Sequence, residues 1–174
     1  MTAADFDRLK AFTVTIDENH VAEICLRCPE ALNSMNADFW HELPEIIDAL
    51  DRQGSARVII LCSSGKHFTA GMDLSVLSSM GGNPEQEPAR QAEKLRRWIL
   101  SLQDTFTKLE MARMPVISAV QGACIGGGVD MVCATDMRFC TSNAYFNVKE
   151  TELGITADVG TLQRIQSVMP AGLA

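Results

Sequence analysis

Val116-Ile117-Ser118-Ala119-Val120, then Gln121-Gly122-Ala123-Cys124-Ile125-Gly126-Gly127-Gly128, then Val129-Asp130-Met131-Val132 reads as a strand, a glycine-rich turn and the start of a helix. Adjacent glycines let backbone approach a ligand closely and take positive φ without strain. The first N–H groups of a helix are unpaired and lie at the positive end of its dipole. Such a turn can stabilise an oxygen that gains negative charge. It can equally serve only to pack a strand tightly against a helix, and the turn alone leaves both readings open. Other glycine motifs fail on spacing. Met131 stands where the third glycine of G-x-G-x-x-G belongs, Gly65-Lys66 is followed by His67 rather than Ser or Thr, and no G-x-S-x-G elbow occurs.

Working outward, strands and helices alternate. Phe12–Ile16 and Val21–Leu26 flank the polar turn Asp17-Glu18-Asn19, which predicts a hairpin. Asn36 can cap a helix over Ala37–Gln53, with a kink or break at Pro44. A continuous apolar run at 58–61 predicts a buried strand, and 68–74 a turn into a short helix. Residues 80–88 are the most loop-like stretch and are expected to be flexible. A helix follows over 89–111, with Leu95, Ile99, Leu102 and Phe106 on one stripe, then a buried strand at Val116–Val120. The glycine turn feeds a helix over 128–135, followed by a strand at Met137–Cys140 and a helix from 159. This order predicts one α/β domain with crossovers.

Composition removes several classes. The chain has 174 residues, 47% hydrophobic, with 15 Lys and Arg against 22 Asp and Glu and a formal net charge of -7. An acidic chain without a basic block suits neither nucleic acid nor an anionic membrane surface. No apolar run approaches the ~20 residues of a membrane span. The N-terminus lacks a secretory pattern and the C-terminus a peroxisomal one, which predicts a cytoplasmic or organelle-matrix protein. Six cysteines, mostly in apolar runs, read as buried hydrophobes of a reducing compartment. Cys25 and Cys28 share a CxxC spacing, but no second pair follows to complete a zinc site, so no metal is expected.

A second segment, Lys66-His67-Phe68-Thr69-Ala70-Gly71-Met72-Asp73-Leu74, also leaves a strand and enters a helix through a glycine. The N–H of Met72 could meet the one from the first turn, and two such donors suit an enolate oxygen. His67 reads as a loop residue rather than a base, and Asp136 as structural, pairing locally.

On these residues the chain resembles the crotonase superfamily, also called the enoyl-CoA hydratase/isomerase family, from about residue 12 to 169. Phe68 to Leu74 and Gly122 to Gly128 look like that family's two oxyanion-hole motifs. Leu26-Arg27-Cys28-Pro29-Glu30-Ala31-Leu32-Asn33-Ser34-Met35 looks like its early coenzyme-A-binding loop. The resemblance implies a crotonase-like (ββα) spiral core, with the N–H groups of Met72 and Gly127 as oxyanion donors. It implies substrate or coenzyme A contacts at Arg27, Ala31, Leu32, Ala70, Gly71, Asp73, Leu74 and Gly126. It also implies an acyl-CoA thioester as partner, no cofactor beyond the coenzyme A that the substrate carries, and a homo-oligomer, trimer or hexamer.

Three acids narrow the expectation: Asp130, Glu150 and Asp158. Hydratases of the family have glutamates at the first two positions. The Asp/Glu/Asp set resembles the Δ3,5-Δ2,4-dienoyl-CoA isomerase branch of fatty-acid β-oxidation. Shifting two conjugated double bonds removes a proton at C2 and adds one at C6, and one carboxylate does not easily reach both. Glu150 is then the base at C2, Asp158 the acid at C6, and Asp130 a supporting charge, with burial raising their pKa values. Read without the resemblance, Asp130 is a first-turn helix charge, Glu150 a solvated loop charge and Asp158 the N-cap of a helix from Val159. Family members continue well beyond Ala174 into C-terminal helices that cover the acyl pocket, so the helix from 159 is expected to expose an apolar face. An enoyl-CoA hydratase, or a non-catalytic acyl-CoA-binding or assembly subunit, are the competing functions.

Overall fold

In a computed structural model, residues 3–78 and 87–173 are described, with side chains from Phe6 onward. Most of the loop expected at 80–88 lies outside the described residues. Its last two residues have a defined role: the Glu87 carboxylate accepts the N–H groups of Ala89 and Arg90, and Pro88 opens the following helix. Proline is pre-shaped for that first position.

The hairpin forms as predicted. Strands β1 (Phe12–Ile16) and β2 (Val21–Leu26) pair antiparallel, Phe12 opposite Leu26. Asp17 closes the turn by accepting the N–H groups of Asn19 and Val21. Helix α1 (Ala37–Gln53) starts at Asn36, whose side chain accepts the Phe39 N–H at 2.9 Å, and ends at Gly54, at φ +63°. It continues through Pro44 without ending. Seven buried residues along its inner face outweigh the one backbone bond that proline removes.

Strand β3 (Val58–Ser63), short helix α2 (Leu74–Ser78), long helix α3 (Pro88–Glu110) and strand β4 (Val116–Val120) follow. The glycine region contains a strand of its own, β5 (Ala123–Ile125), ahead of α4 (Gly127–Cys133). Then come β6 (Met137–Cys140), β7 (Tyr145–Asn147), α5 (Glu150–Leu153) and α6 (Thr161–Val168). The main sheet has the order β1-β2-β3-β4-β6, parallel from β2 onward, and β5 pairs with β7 in a separate parallel ladder. These are the crossovers that the alternating pattern predicts.

Strands β3 and β4, expected to be buried, lie inside the sheet with one face fully buried. Ile59 and Leu61, and Val116, Ser118 and Val120, are buried, while the residues between them are half-buried. The inner face of the sheet shares one core with α1 and α3: the Phe12 and Phe39 rings lie 5.2 Å apart, and Phe39 reaches Phe106 at 6.5 Å. Helix α4 is buried on all sides, and apart from Asp130 its residues are apolar or glycine. Of the cysteines, only Cys124 and Cys133 are buried; Cys25, Cys28 and Cys62 are half-buried and Cys140 is exposed, all as free thiols.

The last helix starts two residues later than expected. Asp158 is not its N-cap, because Gly160 occupies that place. The helix is not left unpartnered: Ile165 and Val168 pack against the core, and only Leu162 remains widely exposed. Edge strand β6, β7 and α5 present a more apolar surface, with Met137, Phe139, Tyr145, Phe146, Leu153 and Ile155 all exposed. Among the described residues no helix is long and apolar enough to cross a membrane.

Candidate active site

Two loops leave the main sheet and are stitched together by backbone. Phe68 N–H donates to Gln121, Thr69 N–H to Ala123, and Ile125 N–H back to Thr69. The Thr69 hydroxyl then donates to the Asn33 carbonyl at 2.6 Å and accepts the Gly71 N–H. Gly71 has φ +85°, and a Cβ there would lie 2.6 Å from the Ile125 carbonyl oxygen and 3.5 Å from the Gly127 nitrogen. Only glycine fits that approach. It sets Met72 beside the N-terminus of α4. Met35 pairs with Met72 through the carbonyl of Gly71 and the N–H of Asp73, which turns the Met72 N–H away from that pairing. Neither the Met72 nor the Gly127 N–H has an acceptor among the described residues. Unpaired donors of this kind are what a ligand oxygen can use.

Met72 and Gly127 both line a cavity of about 730 Å³, a size suited to a small-molecule ligand. One wall is apolar, with Trp40, Leu77, Trp98, Ile99, Leu102 and Val159. The other carries the three predicted acids, Asp130, Glu150 and Asp158.

Asp130 is 1% exposed, the single charged residue of α4. One of its oxygens accepts the Thr161 N–H in a short contact. Burial pushes its pKa up to about 6, and the neighbouring charges of Glu150 and Asp158 act in the same direction against the Thr161 bond. Glu150 opens α5, held there because β7 pairs with β5 and the Gly126 N–H donates to Asn147 at 2.8 Å. Its Oε1 would sit 3.2 Å from a Cβ on Gly126, and its Oε2 is buried without a hydrogen-bond partner. It is therefore not the solvated loop charge that a bland reading allows. Asp158 is half-buried, with its carbonyl oxygen accepting Gln103 Nε2 at 2.7 Å and Gln163 Nε2 at 3.1 Å.

Of the other predicted contacts, Ala70, Gly71, Asp73, Leu74 and Gly126 line this cavity. Asp73 is also the cap of α2: the Ser75 hydroxyl and N–H, then the Ser34 hydroxyl, hold its carboxyl below the ordinary range. Arg27, Ala31 and Leu32 are exposed and stand off the cavity wall. The Arg27 guanidinium reaches the Leu9 carbonyl, and Leu32 supports the site through its carbonyl, which accepts the Ala70 N–H. His67 Nδ1 accepts the Ala123 N–H, so it acts as a loop brace rather than a base. Asp136 is structural too, but its partner is distant in sequence: its carboxylate accepts the Val116 N–H.

Several residues escaped the sequence reading. Buried Asn33 binds the Cys28 N–H and the carbonyls of Ser64 and His67, locking the first loop to the second. Trp40 of α1 and Trp98 of α3 both line the cavity, as does Lys149, next to Glu150. The apolar stripe of α3 passes next to Trp98, but nothing in it shows which neighbour turns toward a ligand.

Comparison with known proteins places the chain in a family. The family model for enoyl-CoA hydratase/isomerase matches residues 17–174. The chain is 41% identical to the peroxisomal Delta(3,5)-Delta(2,4)-dienoyl-CoA isomerase of Arabidopsis thaliana, over 97% of this chain and 61% of that protein. It is 42% identical to the mitochondrial enzyme of that name from Mus musculus, over 92% of this chain and 49% of that one. A putative enoyl-CoA hydratase from Thermobifida fusca, solved with acetoacetyl-CoA, superposes with a TM-score of 0.81 at 28% identity, covering 98% of this chain and 66% of the other. The chain thus spans about half to three-fifths of the length of the two isomerases.

Proposed function

The chain belongs to the enoyl-CoA hydratase/isomerase family, and from that premise we propose that it isomerises 3,5-dienoyl-CoA thioesters to 2,4-dienoyl-CoA thioesters. The observation that carries the proposal is the cavity itself: two acceptor-free N–H groups, of Met72 and Gly127, on a wall shared with Glu150 and Asp158. Glu150 takes the C2 proton. The electron pair of that C–H bond forms a C1–C2 double bond as the carbonyl π pair moves onto the thioester oxygen, and the two N–H groups hold that oxygen in a dienolate conjugated through to C6. Asp158 then delivers a proton to C6 as the electrons return, leaving double bonds at C2 and C4. Glu150 ends protonated and Asp158 ionised, and exchange with water resets both. The orphaned Oε2 of Glu150 supports its part, since a buried acceptor without a partner is ready to receive a proton.

The apolar wall of Trp98, Ile99 and Leu102 suits the acyl chain. The reaction moves protons only and uses no cofactor beyond the coenzyme A of the substrate. The exposed Met137, Phe139, Tyr145 and Phe146 support association of several copies, which sedimentation tests. The chain is to be incubated with a 3,5-dienoyl-CoA and, separately, with a 2-enoyl-CoA. The first is expected to gain the ultraviolet absorbance of the 2,4-diene conjugated to the thioester. Hydration of the second without conversion of the first would replace this reading with that of a hydratase.

A further inference from the structure

The 158–164 segment is held against one stripe of α3. Gln103, Thr107 and Glu110 fall on the same helical face, at steps of four and three residues. Gln103 Nε2 donates to the Asp158 carbonyl at 2.7 Å. Arg164, whose side chain is only 12% exposed, donates to the Thr107 hydroxyl at 3.1 Å and to the Glu110 carboxylate at 2.8 Å. From the other side, Asp130 accepts the Thr161 N–H. Ala157 is buried and Val159 packs against the core, whereas the stretch leading up to them, 151–156, is exposed.

We propose that Gln103 is a positioning residue, whose bond to the Asp158 carbonyl sets where the Asp158 carboxyl stands in the cavity. The inference rests on the proposed role of Asp158 as the acid at C6. The Asp158 carbonyl accepts two donors, and their origins separate their effects. Gln163 belongs to the same segment, five residues on, and is exposed, so it shapes the segment without locating it. Gln103 comes from a helix that also forms the apolar wall through Trp98, Ile99 and Leu102. Its bond therefore ties the proton donor to the surface that would hold the acyl chain. A donor displaced by about 1 Å can lose about a hundredfold in rate. Glu150 is placed independently, by the β5–β7 pairing and Gly126.

The test separates the two proton transfers. In D2O, exchange of the C2 hydrogen of a 3,5-dienoyl-CoA reports Glu150 and the oxyanion donors, and formation of the 2,4-diene requires Asp158 as well. Gln103→Leu keeps the bulk and removes the donor. It is expected to slow isomerisation by about 10- to 100-fold while C2 exchange changes by less than about threefold. Gln163→Leu is expected to leave both rates within about twofold. Equal loss of both rates in Gln103→Leu, or an equal effect of Gln163→Leu, overturns the proposal. Amide hydrogen exchange of 155–160 is read on the same proteins. Faster exchange there in Gln103→Leu, with the rest of the chain unchanged, supports the positioning role, and unchanged exchange overturns it. A parent chain that neither exchanges nor isomerises removes the functional reading alone, and amide exchange still decides for Gln103.

Discussion

The carboxylate of Asp130 accepts the backbone N–H of Thr161, thirty-one residues away. The one charged side chain of buried helix α4 thus satisfies the first turn of α6, and Thr161 itself is buried. Asp130→Ala leaves that N–H without a partner and is expected to cost about 1–3 kcal/mol of stability. Asp130→Asn keeps an acceptor oxygen and is expected to cost less. Urea unfolding of the three proteins checks this, and equal losses in both variants would show that the bond is not what matters.

The same carboxyl carries a pH dependence of definite sign. Its pKa stands at about 6 against an ordinary 3.8, chiefly from burial. Between those values the folded chain holds a proton that the unfolded chain has released, so stability from this group is full below about pH 4 and is lost as pH rises through 6. At 1.36 kcal/mol per unit, the loss is about 3 kcal/mol. Asp130→Asn does not titrate, so its stability relative to the parent is expected to improve by up to that amount from pH 4 to pH 7. A difference independent of pH in that window would contradict the account.

Gly71→Ala places a methyl group 2.6 Å from the Ile125 carbonyl, at φ +85°. The backbone conformation alone costs about 1–2 kcal/mol. Relief of the clash moves Met72 away from Gly127, so isomerisation is expected to fall by about 100-fold or more, as when an oxyanion donor is removed. Stability is read by thermal unfolding and rate by diene absorbance.

The two acids are expected to separate kinetically. Glu150→Gln abolishes both C2 exchange and isomerisation, each by about 100- to 10,000-fold. Asp158→Asn abolishes isomerisation and leaves C2 exchange. If Asp158→Asn stops exchange while Glu150→Gln leaves it, the two roles are reversed.

Asn33→Ala removes the clasp between the first two loops and leaves the Ser64 and His67 carbonyls without that donor. A loss of about 2–4 kcal/mol is expected from two such groups. Because Leu32 and Met35 hold Ala70 and Gly71 through backbone bonds, the KM for the thioester is expected to rise more than kcat falls.

Much of this site was legible because it depends on backbone. Gly71 and Gly126 stand at positive φ, and a sequence shows where glycine is required. Asn36 and Gly54 likewise mark both ends of α1 through local bonds. Asp158 was legible as an acid and misleading as a cap. The start of α6 is set by Gly160 and by the distant Asp130, which no window around 158 contains. Strands β5 and β7 have three residues each and exist through pairing Ala123 with Tyr145 and Ile125 with Asn147, so neither carries a local signal.

The sequence by itself determined the α/β layout, the two glycine turns and the identity of the three acids, since these follow from apolar periodicity and from backbone conformations that only certain residues adopt. Tertiary structure alone decided which groups face one another. The elevated pKa of Asp130 arises from burial and from neighbours twenty or more residues away, and the buried, unpartnered oxygen of Glu150 comes from the start of α5 being brought against Gly126. Desolvation and charge–charge effects depend on distance in space, and chain order does not supply that distance.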